Sequence, residues 1–196
     1  MNYLAHFCLS FGQEPLIVGN LLGDFVRGRL DNPRNAIYPE AIRTGIKLHR
    51  HIDSFTDTHP EAKICRDLLP NKFGHYKGVI VDMYFDYFLA KNFAEYHSEP
   101  LPAFAQNVYQ VLTKNDEHIP ESAKLMVKSM IKYDWLTHYQ YIEGMRRSFA
   151  GMAKRFKILK GIDEADEELQ KNEQFYEPHF RAFFPQLEQS CIEFML

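Results

Sequence analysis

Cysteine is scarce in this chain. Three residues, Cys8, Cys65 and Cys191, lie far apart among 196 and form no C-x-x-C pair. An odd, sparse set excludes a disulfide framework and a thiolate zinc site, and it fits a reducing compartment. Long apolar runs are missing as well: no window approaches the ~18 uninterrupted apolar residues of a membrane span. Met1-Asn2-Tyr3-Leu4-Ala5-His6 has neither the basic flank nor the apolar stretch of a signal peptide, so the expected location is the cytoplasm, with no membrane partner. There is no excess of basic charge. With 23 Lys and Arg against 26 Asp and Glu, a net charge of −3 excludes a nucleic-acid binder acting through bulk charge. Strand signals are absent too, since no alternating Val/Ile/Thr run is bounded by Asn-Gly or Asp-Gly.

What is present is apolar and aromatic mass: 45% hydrophobic residues, with 16 Phe and 11 Tyr, which excludes disordered and low-complexity classes. A chain of this length buries roughly 70% of its unfolded surface and folds without a staple. The apolar pattern is helical nearly throughout. Val79, Met83, Phe85, Phe88, Leu89 and Phe93 recur at three- and four-residue steps, as do Ile42, Ile46, Leu48, Ile52 and Phe55, with Pro39 placed as a first-turn proline. Breaks are expected at Gly12–Pro15, Asn32–Pro33, His59-Pro60, Pro70–Gly74, Pro100–Pro102, Ile119-Pro120, Gly161 and Phe184-Pro185. The segments between them have ordinary helix lengths, about 10–20 residues. The expected fold is all-α, one domain over residues 1–196, without repeats or linkers.

The small net charge conceals a local split. Gly144–Lys160 carries six basic residues (Arg146, Arg147, Lys154, Arg155, Lys157, Lys160) and no acid, whereas Gly161–Glu177 carries seven acids and one lysine. Two readings stay open: solvated helix faces, or a basic surface that docks an acidic partner.

The densest polar group is Leu48-His49-Arg50-His51-Ile52-Asp53, inside an amphipathic helix. His49 and Asp53 stand one turn apart on one face, extended by Asp57 if the helix continues. Imidazole with carboxylate suits Mn²⁺, Fe²⁺ or Zn²⁺, while a simple His–Asp hydrogen bond is the alternative. Asp24 falls in the apolar segment Gly19–Gly28, where a carboxylate needs a partner, a proton or a metal; an ion pair with Arg27 is the alternative. Gly19 and Gly23 there allow a helix or ligand to approach the backbone closely. Asp82 is flanked by apolar residues on both sides and is hard to place in solvent, whereas an exposed Asp86 would be unremarkable. His6 is a further candidate ligand. Histidines and aspartates from separate helices meeting at one divalent ion describe metal-dependent phosphohydrolases. In such enzymes the metal supplies hydroxide at neutral pH and offsets charge on the phosphoryl oxygens. Arg27, Arg43, Lys47 and Arg50 are candidates for clamping a phosphate.

At four blocks the sequence resembles the acyl carrier protein phosphodiesterase family: Asn2–His6, Gly19–Gly28, Gly45–Asp53 and Asp82–Leu89. The later Phe149–Arg155 block fits more loosely. The resemblance implies a distorted HD-domain-like phosphohydrolase that prefers Mn²⁺ and removes 4′-phosphopantetheine from holo-acyl carrier protein. It makes Asp24 and His49 the candidate catalytic residues and His6, Asp24, His49, Asp53 and Asp82 the candidate metal ligands. Asn20, Arg27, Arg50 and His51 become the candidate substrate-binding residues. HD enzymes are named for an adjacent His-Asp dipeptide that this chain lacks, so a rearranged ligand set is expected. An HD-like phosphohydrolase of a nucleotide or small phosphoester, and a non-catalytic module for an acidic protein, are the alternatives.

Overall fold

The computed structural model describes residues 1–155 and 161–196. Eleven α-helices and three short 3₁₀ turns make up the regular structure of those residues, with no strand among them. The helices are α1 (Tyr3–Cys8), α2 (Glu14–Leu22), α3 (Glu40–Thr58), α4 (Pro60–Leu68), α5 (Lys77–Lys91), α6 (Phe93–Tyr96), α7 (Leu101–Lys114), α8 (Glu121–Lys132), α9 (Trp135–His138), α10 (Ile142–Arg155) and α11 (Ala165–Met195). The expected all-α class is therefore observed. No described helix is long and apolar enough to cross a membrane. The three cysteines are free and buried.

The core is organised around α5, which is apolar on nearly every side and is buried accordingly. It packs against α1, α4 and α11, with the Phe85 and Phe183 rings 4.9 Å apart. Most expected breaks are real, but Phe184-Pro185 is not one: α11 runs through both Pro178 and Pro185. Both prolines lie on its exposed side, where water can replace the lost backbone bonds, while Tyr176, Phe180, Phe183, Phe184 and Leu187 hold the other face in the core. Helix lengths also depart from expectation, from four residues in α6 and α9 to 31 in α11.

The most intimate contact is between α2 and α3, and it is made by glycine. A Cβ on Gly19 would lie 2.3 Å from the Ile42 carbonyl oxygen and 2.5 Å from Gly45 Cα. The close approach offered by the Gly19 position is thus taken up by another helix. It sets the end of α2 against the middle of α3, where His49 and Asp53 project.

Candidate metal centre

Three elements bring the polar residues together. α1 contributes His6, α3 contributes His49 and Asp53, and the turn after α2 contributes Asp24. One ligand atom from each of His6, His49 and Asp53 can be chosen so that all lie within 4.8 Å of one another. His6 Nε2 is 3.2 Å from Asp53 Oδ1, and His49 Nε2 is 3.0 Å from Asp53 Oδ2. The two imidazoles stack with centroids 4.1 Å apart. His49 Nε2 is also 3.6 Å from Asp24 Oδ1.

These groups line a cavity of about 230 Å³, together with Asn2, Tyr3, Asp57, Asp82 and Met152. Four carboxylates face it: Asp24, Asp53, Asp57 and Asp82. α3 does continue through Asp57, as its face requires.

The donor chemistry fits a cation. Burial pushes the Asp53 carboxyl upward, yet hydrogen bonding and charge from His49 and His6 outweigh it and hold the group well below the usual carboxylate range. Burial, followed by the neighbouring His49, lowers the basicity of His6 and favours its neutral ring. His49 Nδ1 is buried without a hydrogen-bond partner. Both rings face Asp53 through Nε2, and a cation seated there would take the nitrogen lone pairs and the carboxylate oxygens in place of those hydrogen bonds.

Two expectations need correction. Asp24 is not embedded in an apolar helix; α2 ends at Leu22, and the Asp24 side chain is 47% exposed in the following turn. Its position needs no metal to offset burial, although its carboxylate still faces the cavity. The roles expected of Asp82 and Asp86 are reversed. Asp82 is partly exposed on the cavity wall, 2.9 Å from the Met1 amino nitrogen. Asp86 is fully buried and accepts backbone N–H bonds from Asn2 (3.2 Å), Leu4 (2.7 Å) and Ala5 (3.3 Å). It caps the start of α1, and so holds the helix that carries His6.

The candidate substrate-binding residues scatter. Asn20 is buried against His6. Arg27 is exposed in the segment between α2 and α3, and Arg50 donates to the Val26 carbonyl at 2.9 Å. His51 points to α11, 2.8 Å from Ser190 Oγ and stacked on Phe194. None of these four lines the cavity. Arg43 and Lys47 both pair with Glu40.

Sequence reasoning missed Tyr3, although it stands inside the Asn2–His6 block. Burial and then the Asp24 carboxylate raise its phenol well above the ordinary tyrosine range, and from the cavity wall its neutral hydroxyl donates to Met126 Sδ at 2.9 Å. Ser10 was missed as well, having no local signal beyond its distance of four residues from His6.

The basic segment is divided. Arg146 donates to Asp166, a buried carboxylate on α11, at 2.8 Å. Arg147 and Lys154 are exposed on α10, without an ion pair among the described residues, and Met152 of the same helix lines the cavity. Lys157 and Lys160 lie outside the described residues. Much of the acidic stretch is paired internally: Glu164 with Lys72, Glu173 with Lys91, and Glu177 with Arg181.

Fold and cavity together define an all-α protein with an acidic, histidine-bearing site at the junction of α1, α2 and α3. The family model described as acyl carrier protein phosphodiesterase matches residues 1–187, and the chain belongs to that family, whose members are phosphodiester hydrolases. Among its relatives is the acyl carrier protein phosphodiesterase of Serratia proteamaculans (strain 568), 30% identical over 192 residues covering 97% of each chain. Those of Enterobacter sp. (strain 638) and Escherichia coli O45:K1 (strain S88 / ExPEC) are each 30% identical and cover 95% of each chain. No solved structure matches the chain.

Proposed function

We propose that this protein hydrolyses the phosphodiester joining 4′-phosphopantetheine to the serine of holo-acyl carrier protein. Water adds to phosphorus, the bond from phosphorus to the serine oxygen breaks, and the serine oxygen leaves with a proton. The products are apo-protein and free 4′-phosphopantetheine. The observation that carries the reading is the convergence of His6, His49 and Asp53 in an acidic cavity of a chain belonging to this family.

His6, His49 and Asp53 would hold a divalent metal, with Asp24 and Asp82 on the surrounding wall. The resemblance makes that metal Mn²⁺; when bound it lowers the pKa of water and withdraws charge from phosphoryl oxygens. Asp24, half exposed beside His49, is placed to accept the proton of the attacking water at its carboxylate. Tyr3 lines the same cavity, and its neutral hydroxyl would have to turn from Met126 Sδ to serve a phosphoryl or leaving oxygen. This set replaces the adjacent His-Asp dipeptide of HD enzymes with ligands from two helices. The chain acts as one domain over residues 1–196, in the cytoplasm.

A cavity of about 230 Å³ admits the phosphodiester and not the carrier protein, which must dock on the rim. Acyl carrier protein is acidic, and the exposed Arg147 and Lys154 on α10 offer the complementary charge beside Met152. The test is incubation with holo-acyl carrier protein and Mn²⁺, followed by intact-mass measurement. Loss of the prosthetic-group mass is expected; an unchanged mass over many hours would overturn the assignment.

A further inference from the structure

We propose that Asn20 is a positioning residue that locks the tautomer of His6 through a closed hydrogen-bond ring with Ser10. The ring begins and ends on one residue. Ser10 Oγ donates its single proton to the His6 carbonyl at 3.0 Å. Its lone pairs then accept from Asn20 Nδ2 at 2.9 Å. That bond orients the amide, so Asn20 Oδ1 is the atom facing His6 Nδ1 at 3.2 Å. Turning the amide over would set its oxygen against a hydroxyl whose proton is already used, and an NH₂ against the ring.

An amide oxygen can only accept, so His6 Nδ1 carries a proton, and Nε2 is the one ring nitrogen left to supply a lone pair. Nε2 is the atom directed at Asp53 Oδ1, 3.2 Å away. His6, Ser10 and Asn20 are all at most 2% exposed, so no solvent competes for these bonds. His49 has no such partner, because its Nδ1 is buried and unpaired. Of the two imidazoles, only His6 is therefore preset to offer a nitrogen lone pair to the cavity. Asn20 thus acts on the cavity through His6.

The consequence for metal rests on the function proposed above, whereas the tautomer itself does not. Two measurements separate them. Nitrogen-15 spectra of the metal-free protein at pH 8 should show His6 protonated on Nδ1. Calorimetric titration with Mn²⁺ alone should show Asn20→Leu weakening binding by about 10- to 100-fold, the range for an outer partner of a ligating histidine. Asn20→Asp, which keeps an acceptor toward Nδ1, should restore most of that loss. Ser10→Ala should give a smaller loss, and it serves with Asn20→Asp if Asn20→Leu does not fold. An unprotonated Nδ1 in the wild-type ring overturns the lock, as does undiminished Mn²⁺ affinity in the Asn20 and Ser10 variants. Wild-type protein that binds no Mn²⁺ counts against the metal reading and leaves the nitrogen spectrum to decide the lock.

Discussion

Gly23 and His49 interlock: a Cβ on residue 23 would fall 2.1 Å from Cγ of the imidazole. The ring occupies the space a side chain would need, so the glycine at the end of α2 decides where the second histidine can stand. Gly19, one helical turn earlier, meets backbone instead, at the Ile42 carbonyl and Gly45 Cα. The two glycines share a helix face but have different mechanical roles.

Gly23→Ala should therefore leave the helical fold and displace His49. Misplacing a catalytic group by about 1 Å can cost on the order of 10²-fold, and a kcat/KM loss of that size is expected with an unaltered far-ultraviolet circular dichroism spectrum. Gly19→Ala should instead force α2 and α3 apart, at about 1–3 kcal/mol. In a chain of this size that lowers Tm by roughly 2–4 °C per kcal/mol. If both variants melt alike, the distinction between them is wrong.

Metal should stabilise the folded chain by mass action. At 100 times its Kd, a ligand specific for the native state adds about 2.7 kcal/mol. Mn²⁺ should accordingly raise the wild-type Tm, and a chelator should reverse the shift. His6→Ala and Asp53→Ala should remove most of the Mn²⁺ response, which differential scanning calorimetry would measure. An equal shift in the Asp53→Ala protein would place the ion elsewhere.

Asp86 should make stability depend on pH. Burial raises its carboxyl from 3.8 to about 7, against the opposing pull of the terminal amino group and of the backbone N–H bonds from Leu4, Ala5 and Asn2. The folded chain then binds more protons than the unfolded chain between these values. Its contribution is complete below about pH 4 and is lost as pH rises through 7. Urea midpoints of wild-type protein should fall relative to Asp86→Asn across that window. A difference that stays flat with pH would show that Asp86 is already ionised.

The basic helix should separate binding from folding. Arg147→Glu with Lys154→Glu is expected to raise KM for holo-acyl carrier protein several-fold at low salt and leave kcat near wild type. The effect should fade as added salt shortens the screening length from about 10 Å at 0.1 M toward 3 Å at 1 M. Arg146→Glu should cost stability, roughly 1–3 kcal/mol, because it strips the buried Asp166 of its donor. A KM unaffected by the double reversal would remove α10 from the docking surface.

Helical periodicity made α3 and α5 legible, because a buried face recurs with the turn of the helix whatever it packs against. The same regularity exposed the pairing of His49 with Asp53, since residues four apart on one helix share a face. The four sequence blocks carried the family resemblance, and the match over residues 1–187 established it. The proline signal misled at Pro185, because proline's cost depends on which side of α11 faces water. Local sequence misled at Asp82 and Asp86 as well, where apolar neighbours said nothing about the α1 backbone that one carboxylate caps.

The sequence by itself thus determined an all-helical chain, its family, and the residue types able to hold a cation. It excluded a thiolate site and bulk basic charge, as composition can. Only the tertiary structure decided that His6 joins His49 and Asp53, that Asn20 and Ser10 hydrogen-bond around His6, and that exposed Arg146 is tied to the buried Asp166. Those outcomes depend on contacts between helices distant in sequence, and helical periodicity carries no information about which helix another will meet.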